Sequence, residues 1–244
     1  TPLNAIVGFI DILKGNIKEK ESSEYLDIIK GSSHTLLNTI EDILDFSKIE
    51  SGKLEIDKID FDIKKELTSV IRLFDAKSQE KDINIIQNID LNLPNFVNTD
   101  PHRLKQVMSN LLSNAIKFTE NHKQIVVSVI YENNNLTVTV KDEGKGIAKD
   151  KQEQIFTPFG QEDSSTTRHF GGTGLGLSIS SELIRLLGGK LQVKSEFGDG
   201  SEFYFSIPIE IAKEIESKSN FDNKRHFVGN ILLVEDNKTN QILM

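Results

Sequence analysis

Residues 110–177 carry four short blocks whose residue types are suited to holding a charged ligand. The first is Asn110-Leu-Leu-Ser-Asn114-Ala-Ile-Lys117. Its polar members recur at helical spacing, beside Arg103 and Gln106, while Leu104, Val107, Met108, Leu111, Leu112 and Ala115 fall on the neighbouring face. Asn is a mediocre helix former, whereas a merely solvated face favours Glu and Lys. An amide carbonyl is a hard oxygen ligand of the kind Mg²⁺ takes alongside nucleotide phosphates. Lys117, one turn on, offers a point charge to the same phosphates.

The second block, Asp142-Glu-Gly144-Lys-Gly146, puts a carboxylate at a strand end before two glycines. Alone it reads as an ordinary Asp-Gly turn. Facing a purine, the carboxylate would accept from an exocyclic amino group and so select adenine over guanine. The glycines admit a close ligand or a positive-φ turn. The third block is Phe156-Thr-Pro-Phe159, whose rings are expected to anchor the polar segment 160–170 by packing. An aperiodic stretch of that length reads as a lid, and Arg168 is its one residue suited to gripping a phosphate. The fourth, Gly171-Gly-Thr-Gly174-Leu-Gly176-Leu177, opens a helix. Glycines there expose backbone N–H groups and the positive end of the helix dipole, a phosphate site. No Lys-Ser/Thr follows, so it is not a P-loop, and no parallel strand precedes it. Alone, it reads equally as a hinge. Together the blocks describe a pocket for ATP and Mg²⁺ with a mobile cover.

These blocks need elements to position them. Leu3, Ile6, Val7, Ile10 and Leu13 form one helical stripe, broken at Gly15-Asn16. Leu26, Ile29, Ser33, Leu36, Ile40 and Ile43 form a longer one that fades near Ser51-Gly52. Two amphipathic helices make a hairpin with too little core of its own, so two chains pairing into a four-helix bundle is the natural solution. Beyond Lys53 the pattern turns mixed: helix over 62–79, strand over 83–89, helix over 101–118. Two hairpins follow, Ile125–Tyr131 with Leu136–Val140 around Asn133-Asn-Asn, and Lys190–Lys194 with Glu202–Ile207 around Phe197-Gly-Asp-Gly. Between them lies an amphipathic helix over 174–187, closed by Gly188-Gly189. Hairpin strands beside helices predict an α+β two-layer sandwich, an antiparallel-rich sheet with helices on one face. The segments divide as 1–52 (hairpin), 53–210 (ATP-binding domain), 211–229 (charged linker) and 230–244, where Ile231–Val234 reads as a strand ending in Glu235 and Asp236.

Composition narrows the field. The 244 residues carry a net charge of −8, so a broad basic footprint for nucleic acid is absent and positive potential for ATP must be local. Zero cysteines exclude disulfides and thiolate metal sites and fit a cytoplasmic setting. No apolar run approaches the roughly 18 residues that span a bilayer, although a larger protein containing this stretch could still be membrane-anchored. A first residue Thr rather than Met is expected to mark a lost N-terminus.

The four blocks resemble, in order, the N, G1, F and G2 boxes of sensor histidine kinases, within the GHKL/HATPase group that includes gyrase B, mismatch-repair ATPases and heat-shock chaperones. Phe197-Gly-Asp-Gly-Ser201 resembles a third glycine box. Thr1-Pro-Leu-Asn-Ala-Ile is similar to the back half of the H box on the first dimerisation helix. Ile231-Leu-Leu-Val-Glu235-Asp236-Asn resembles the start of a response-regulator receiver. That order is similar to a hybrid kinase and covers essentially the whole chain.

The resemblance implies that Asn114 holds Mg²⁺, that Asn110 and Lys117 serve nucleotide and metal, and that Asp142 reads adenine. It implies that Gly144, Gly146, Ile147, Phe156, Arg168, Gly172, Thr173, Gly174, Leu175, Gly176 and Leu177 complete the ATP site. Thr1 matches a position linked to phosphatase activity, and Glu235 and Asp236 match half of a receiver Mg²⁺ site. Phe118 stands where many relatives have Tyr. The partners implied are a second copy through the hairpin, a receiver in cis and a downstream phosphotransfer protein. The phosphoacceptor His of the family falls four residues before Thr1, and none of His34, His102, His122, His169 or His226 replaces it. The expected activity is an ATP-dependent protein-histidine kinase of a phosphorelay, with this stretch binding ATP yet not labelling itself. The rivals are a GHKL-fold ATPase clamp, marked by hydrolysis without phosphoprotein, and a non-catalytic nucleotide-regulated scaffold.

Overall fold

The computed structural model describes residues 20–160 and 174–212, together with Ile6, Ile10 and Leu13. These fall in two compact units that meet in sequence between Leu44 and Asp45. In the first, Ile6, Ile10 and Leu13 are helical, and helix α1 spans Lys20–Glu50. Leu26 and Ser33 of its predicted stripe are buried, but Ile29, Leu36, Ile40 and Ile43 keep about half their surface in water (43–52 %). One chain therefore leaves that apolar seam uncovered.

The second unit holds the sheets. Strand β1 (Ile59–Asp62) leads into helix α2 (Ile63–Arg72), capped by the Asp62 carboxylate accepting from Lys65 N–H. A short helix α3 (Asp75–Gln79) follows, then β2 (Asn84–Ile89), β3 (Phe96–Thr99) and the long helix α4 (Pro101–Phe118). The hairpin β4 (Gln124–Glu132) and β5 (Asn135–Asp142) turns on Asn133 and Asn134, both left-handed (φ 51° and 61°), as a two-residue hairpin loop of that twist requires. Helix α5 (Gly176–Leu186), β6 (Lys190–Ser195), β7 (Ser201–Pro208) and the two-residue β8 (Glu210–Ile211) complete the described part. The larger sheet runs β2-β4-β5-β7-β6, with only the β2–β4 pair parallel, and β1-β3-β8 forms a smaller antiparallel one.

Two expectations change. The helix expected over 62–79 breaks at Leu73-Phe74, where Leu73 stays exposed and Phe74 turns into the core. No Gly or Pro announces that break. Glu210 and Ile211 pair with Asn98 and Val97 as strand, so the segment expected to be linker from 211 begins inside the domain.

Helices α2, α4 and α5 cover the larger sheet, and the core lies between the layers. Its strands alternate strictly: Ile125, Val127 and Val129 of β4, Leu136, Val138 and Val140 of β5, and Phe203, Phe205 and Ile207 of β7 all face inward. Helix α4 is nucleated by sequence. Asp100 caps it, accepting from Arg103 N–H at 3.0 Å while its other oxygen accepts from Asp57 N–H, and Pro101 occupies the first turn. The far end is held from outside: Lys81 Nζ donates to the carbonyls of Ile116 (2.8 Å), Thr119 (3.2 Å) and Lys117 (3.3 Å), groups the helix leaves unbonded. The last turn of α1 belongs to this unit. Asp45 accepts from Gln106 at 2.8 Å and pairs with Arg103 at 3.3 Å, while Phe46 and Ile49 pack against the core.

Candidate functional site

The alternation that builds the core also builds the site. Following the inward row of β5 one step past Leu136, Val138 and Val140 arrives at Asp142. The matching row of β7 begins at Ser201, which pairs with Asp142, and that of β6 ends at Ser195, which pairs with Ser201. A period-two pattern thus carries a carboxylate and two hydroxyls onto the buried face of the sheet. Asp142 is 4 % exposed. Burial raises its pKa from 3.8 to about 6, against hydrogen bonds from the Gly144 and Ser201 N–H groups that favour the ionised form. The Gly144 N–H lies 2.8 Å from Oδ1. Ser195 Oγ donates to Gly200 O at 2.6 Å, accepts from Ile147 N–H at 2.8 Å and lies 3.0 Å from Ser201 Oγ.

The glycines around this floor are demanded by the chain itself. Gly146 has φ +69°, and a Cβ there would sit 1.9 Å from the Glu196 carbonyl. A Cβ on Gly144 would meet both Asp142 Oδ1 and Phe118 O at 2.6 Å. So the 142–146 segment is pressed onto the end of α4 and onto the β6–β7 turn. That fixes where Asp142 can be.

On α4 the asparagines form a chain. Asn110 Nδ2 donates to Ser180 Oγ of α5 at 2.8 Å, and Asn114 Nδ2 donates to Asn110 Oδ1 at 3.3 Å. Both amide nitrogens are committed, and the Asn114 carbonyl oxygen takes no part in the chain. That oxygen is a hard donor in a half-buried position, as a magnesium ion beside a phosphate requires. Gly176, the first residue of α5, approaches Asn110 so closely that a Cβ would lie 2.5 Å from its Oδ1. The cap of α5, Leu175, is buried and brings no side-chain hydrogen bond to the first turn, so the N–H end of the helix dipole is presented beside the asparagines. Lys117 is half-buried, and its pKa is lowered, first by burial and then by the charge of Lys145. Its ammonium lies 4.9 Å from the Phe118 ring centre.

Around the third block, Phe156 meets Phe203 edge-on at 6.4 Å and packs on the core, as expected. Phe159 differs. It is 67 % exposed, with φ +60°, rare for an aromatic residue. Its N–H donates to Gly174 O at 3.0 Å and its ring meets Phe46 edge-on at 6.2 Å, so the backbone, not core packing, holds it. Ile147 and Leu177 pack against the core, and Gly174 is left-handed at φ +71°. Thr1, Arg168, Gly172, Thr173, Glu235 and Asp236 lie outside the described residues. Residue type and spacing give Ser195 no place, and leave Ser201 and Lys145 inside their glycine blocks without a role of their own. The signal for the two serines was the strand period continued one residue past the last hydrophobic.

Residues 99–211 match the family model "Histidine kinase-, DNA gyrase B-, and HSP90-like ATPase", and residues 1–52 match "His Kinase A (phospho-acceptor) domain". Hybrid signal transduction histidine kinase B of Dictyostelium discoideum is 45 % identical over 86 % of this chain and 11 % of its own length. The autoinducer 2 sensor kinase/phosphatase LuxQ of Vibrio vulnificus is 39 % identical over the whole chain and 30 % of its length. Full-length ShkA in complex with AMPPNP superposes with a TM-score of 0.72 at 31 % identity, covering 87 % of this chain and 44 % of that one. The catalytic domain of histidine kinase ThkA does so at 0.55 and 30 % identity, over 62 % of this chain and 95 % of that one. The chain belongs to the histidine kinase family, with a His Kinase A region followed by an ATPase-type catalytic domain. It spans under a third of the length of these two curated relatives.

Proposed function

We propose that this chain is the transmitter region of a hybrid sensor histidine kinase, which takes ATP and passes its terminal phosphoryl group to a histidine on the helical hairpin and then to a receiver aspartate. The observation that carries this reading is the pairing of two features in one domain. A buried carboxylate closes the inward row of β5, and two linked asparagines stand beside the N-terminus of α5.

In this reading Asp142 accepts from the adenine amino group, which favours its ionised form. Asn110, Lys117 and the first-turn N–H groups of α5 hold the phosphates. Asn114 offers its carbonyl oxygen to magnesium, which when bound supplies charge neutralisation between the phosphates. Arg168 is assigned to the phosphates and Thr173 to the nucleotide. The protein's share of the chemistry is positioning and charge compensation, so the histidine must be delivered in line with the terminal phosphate. Thr1, at a position linked to phosphatase activity, is assigned to the opposing hydrolysis, in which water takes the phosphoryl group and phosphate is released.

The uncovered seam of Ile29, Leu36, Ile40 and Ile43 supports pairing of two copies through the hairpin. ThkA has been crystallised with the response regulator TrrA, which supports a receiver as partner here, in cis through Glu235 and Asp236 or as a separate protein. Among the described residues no helix is long and apolar enough to cross a membrane. We place this region in the cytoplasm, with any membrane anchor elsewhere in the full-length protein.

The test is to incubate the full-length protein with γ-labelled ATP. Acid-labile, alkali-stable label that disappears in Asn114→Ala is expected. Undiminished label in that variant, or sustained hydrolysis without phosphoprotein, overturns the reading.

A further inference from the structure

Lys145 stands between the two glycines of the Asp142–Gly146 segment, and its backbone is clamped. Its carbonyl accepts from Gly198 N–H at 2.7 Å, and the next residue, Gly146, rests on the Glu196 carbonyl. The side chain therefore leaves from a fixed point on the wall that holds Asp142. Its ammonium lies 5.3 Å from the centre of the Phe118 ring, the same ring that Lys117 approaches at 4.9 Å. Each contact alone is a favourable cation–ring pair. Two ammonium groups around one ring also repel each other, and Lys145 contributes to the lowered pKa of Lys117. In a chain of net charge −8, this gathers positive potential at one edge of the site. Positive charge so concentrated favours a ligand with several negative charges over a neutral one of the same shape.

We infer that Lys145 is a second cationic contact for the phosphate chain of the nucleotide, working with Lys117 across the Phe118 ring. This rests on the ATP reading above and deepens it: the pocket's affinity for phosphorylated over unphosphorylated adenosine is set by a pair of lysines, not by Lys117 alone. A lysine beside a ring can also pack through its methylene stem, so a packing role must be separated from a charge role. Lys145→Met keeps most of the stem and removes the charge, while Lys145→Arg keeps the charge.

The experiment is calorimetric titration of the protein with ATP, ADP and adenosine, Mg²⁺ supplied, for the parent and both variants. Thermal unfolding of each variant confirms its fold. Lys145→Met is expected to weaken ATP and ADP about tenfold, the scale of one charged hydrogen bond, to leave adenosine unchanged and to flatten the salt dependence of ATP binding. Lys145→Arg is expected to restore most of the loss. Equal losses for all three ligands, or no loss for ATP, overturn the assignment. A parent protein that takes up no adenine ligand sinks the ATP reading itself, whereas a parent that binds ATP normally beside an unaffected Lys145→Met sinks only the lysine pair.

Discussion

Replacing Asp142 with asparagine should change how the ligand-free protein's stability depends on pH. The carboxyl is 4 % exposed and its pKa rises from 3.8 to about 6 on folding, because burial outweighs the two N–H donors that favour the charge. A carboxyl with a raised folded pKa holds its proton more tightly in the folded state. Its contribution to stability is therefore fully present below about pH 4 and is lost as pH rises through about 6. At about 1.4 kcal/mol for each tenfold change in proton affinity, the loss is roughly 3 kcal/mol by neutral pH. Asparagine matches the side chain in size and does not titrate. Its absolute effect mixes opposed changes, since relief from a buried charge is offset by one acceptor oxygen serving donors that had two. The pH dependence is not mixed in this way, because every other titrating group is common to both proteins. Urea unfolding of parent and variant at intervals from pH 4 to pH 7 should show the parent losing about 3 kcal/mol relative to the variant. A difference that stays level across that range, or moves the other way, would refute the burial argument for Asp142.

Gly176→Ala should uncouple binding from folding. The new Cβ would press on Asn110 Oδ1 and break the Ser180–Asn110–Asn114 chain, so ATP affinity should fall at least tenfold by calorimetry while unfolding shifts by about 1 kcal/mol or less. Gly146→Ala should do the reverse of a clean site lesion, costing about 3 kcal/mol of stability through its positive φ and the clash with Glu196 O, seen as a lowered urea midpoint. Lys81→Met removes the cation that satisfies three carbonyls at the end of α4. It should cost about 2 kcal/mol, a drop of roughly 4–8 °C in Tm. Asp45→Ala leaves Arg103 and Gln106 without the oxygen they share and should cost about 1 kcal/mol. An undiminished stability in either of these last two variants would show that the contact is idle.

Much of the fold was legible because its signals are local. Asp100 and Pro101 announce the start of α4, the Asn133-Asn134 pair announces the hairpin, and strict alternation marks β4, β5 and β7. Strands β1, β3 and β8 have four residues or fewer, too short for a period to show, and exist only because they pair with one another. The break after α2 is tertiary in origin, since Phe74 is drawn into the core at a point where the helical spacing itself continues. The asparagines, Asp142 and the glycines could be chosen from residue type and spacing. What spacing could not supply is what lies across from them. Ser201 meets Asp142 through strand register, Ser195 meets Ser201 the same way, and Lys145 reaches Phe118 only because Gly146 folds onto Glu196. The exposure of Phe159 was also hidden, because it depends on a backbone bond to Gly174.

The most direct measurement is calorimetric titration of this chain with an unhydrolysable ATP analogue in the presence of Mg²⁺, beside the same titration with the GTP equivalent. Saturable uptake of one adenine nucleotide per chain, lost in Asn114→Ala and absent for the guanine analogue, is the predicted result. A folded protein that gives no heat with either nucleotide, or that binds both alike, would contradict the account.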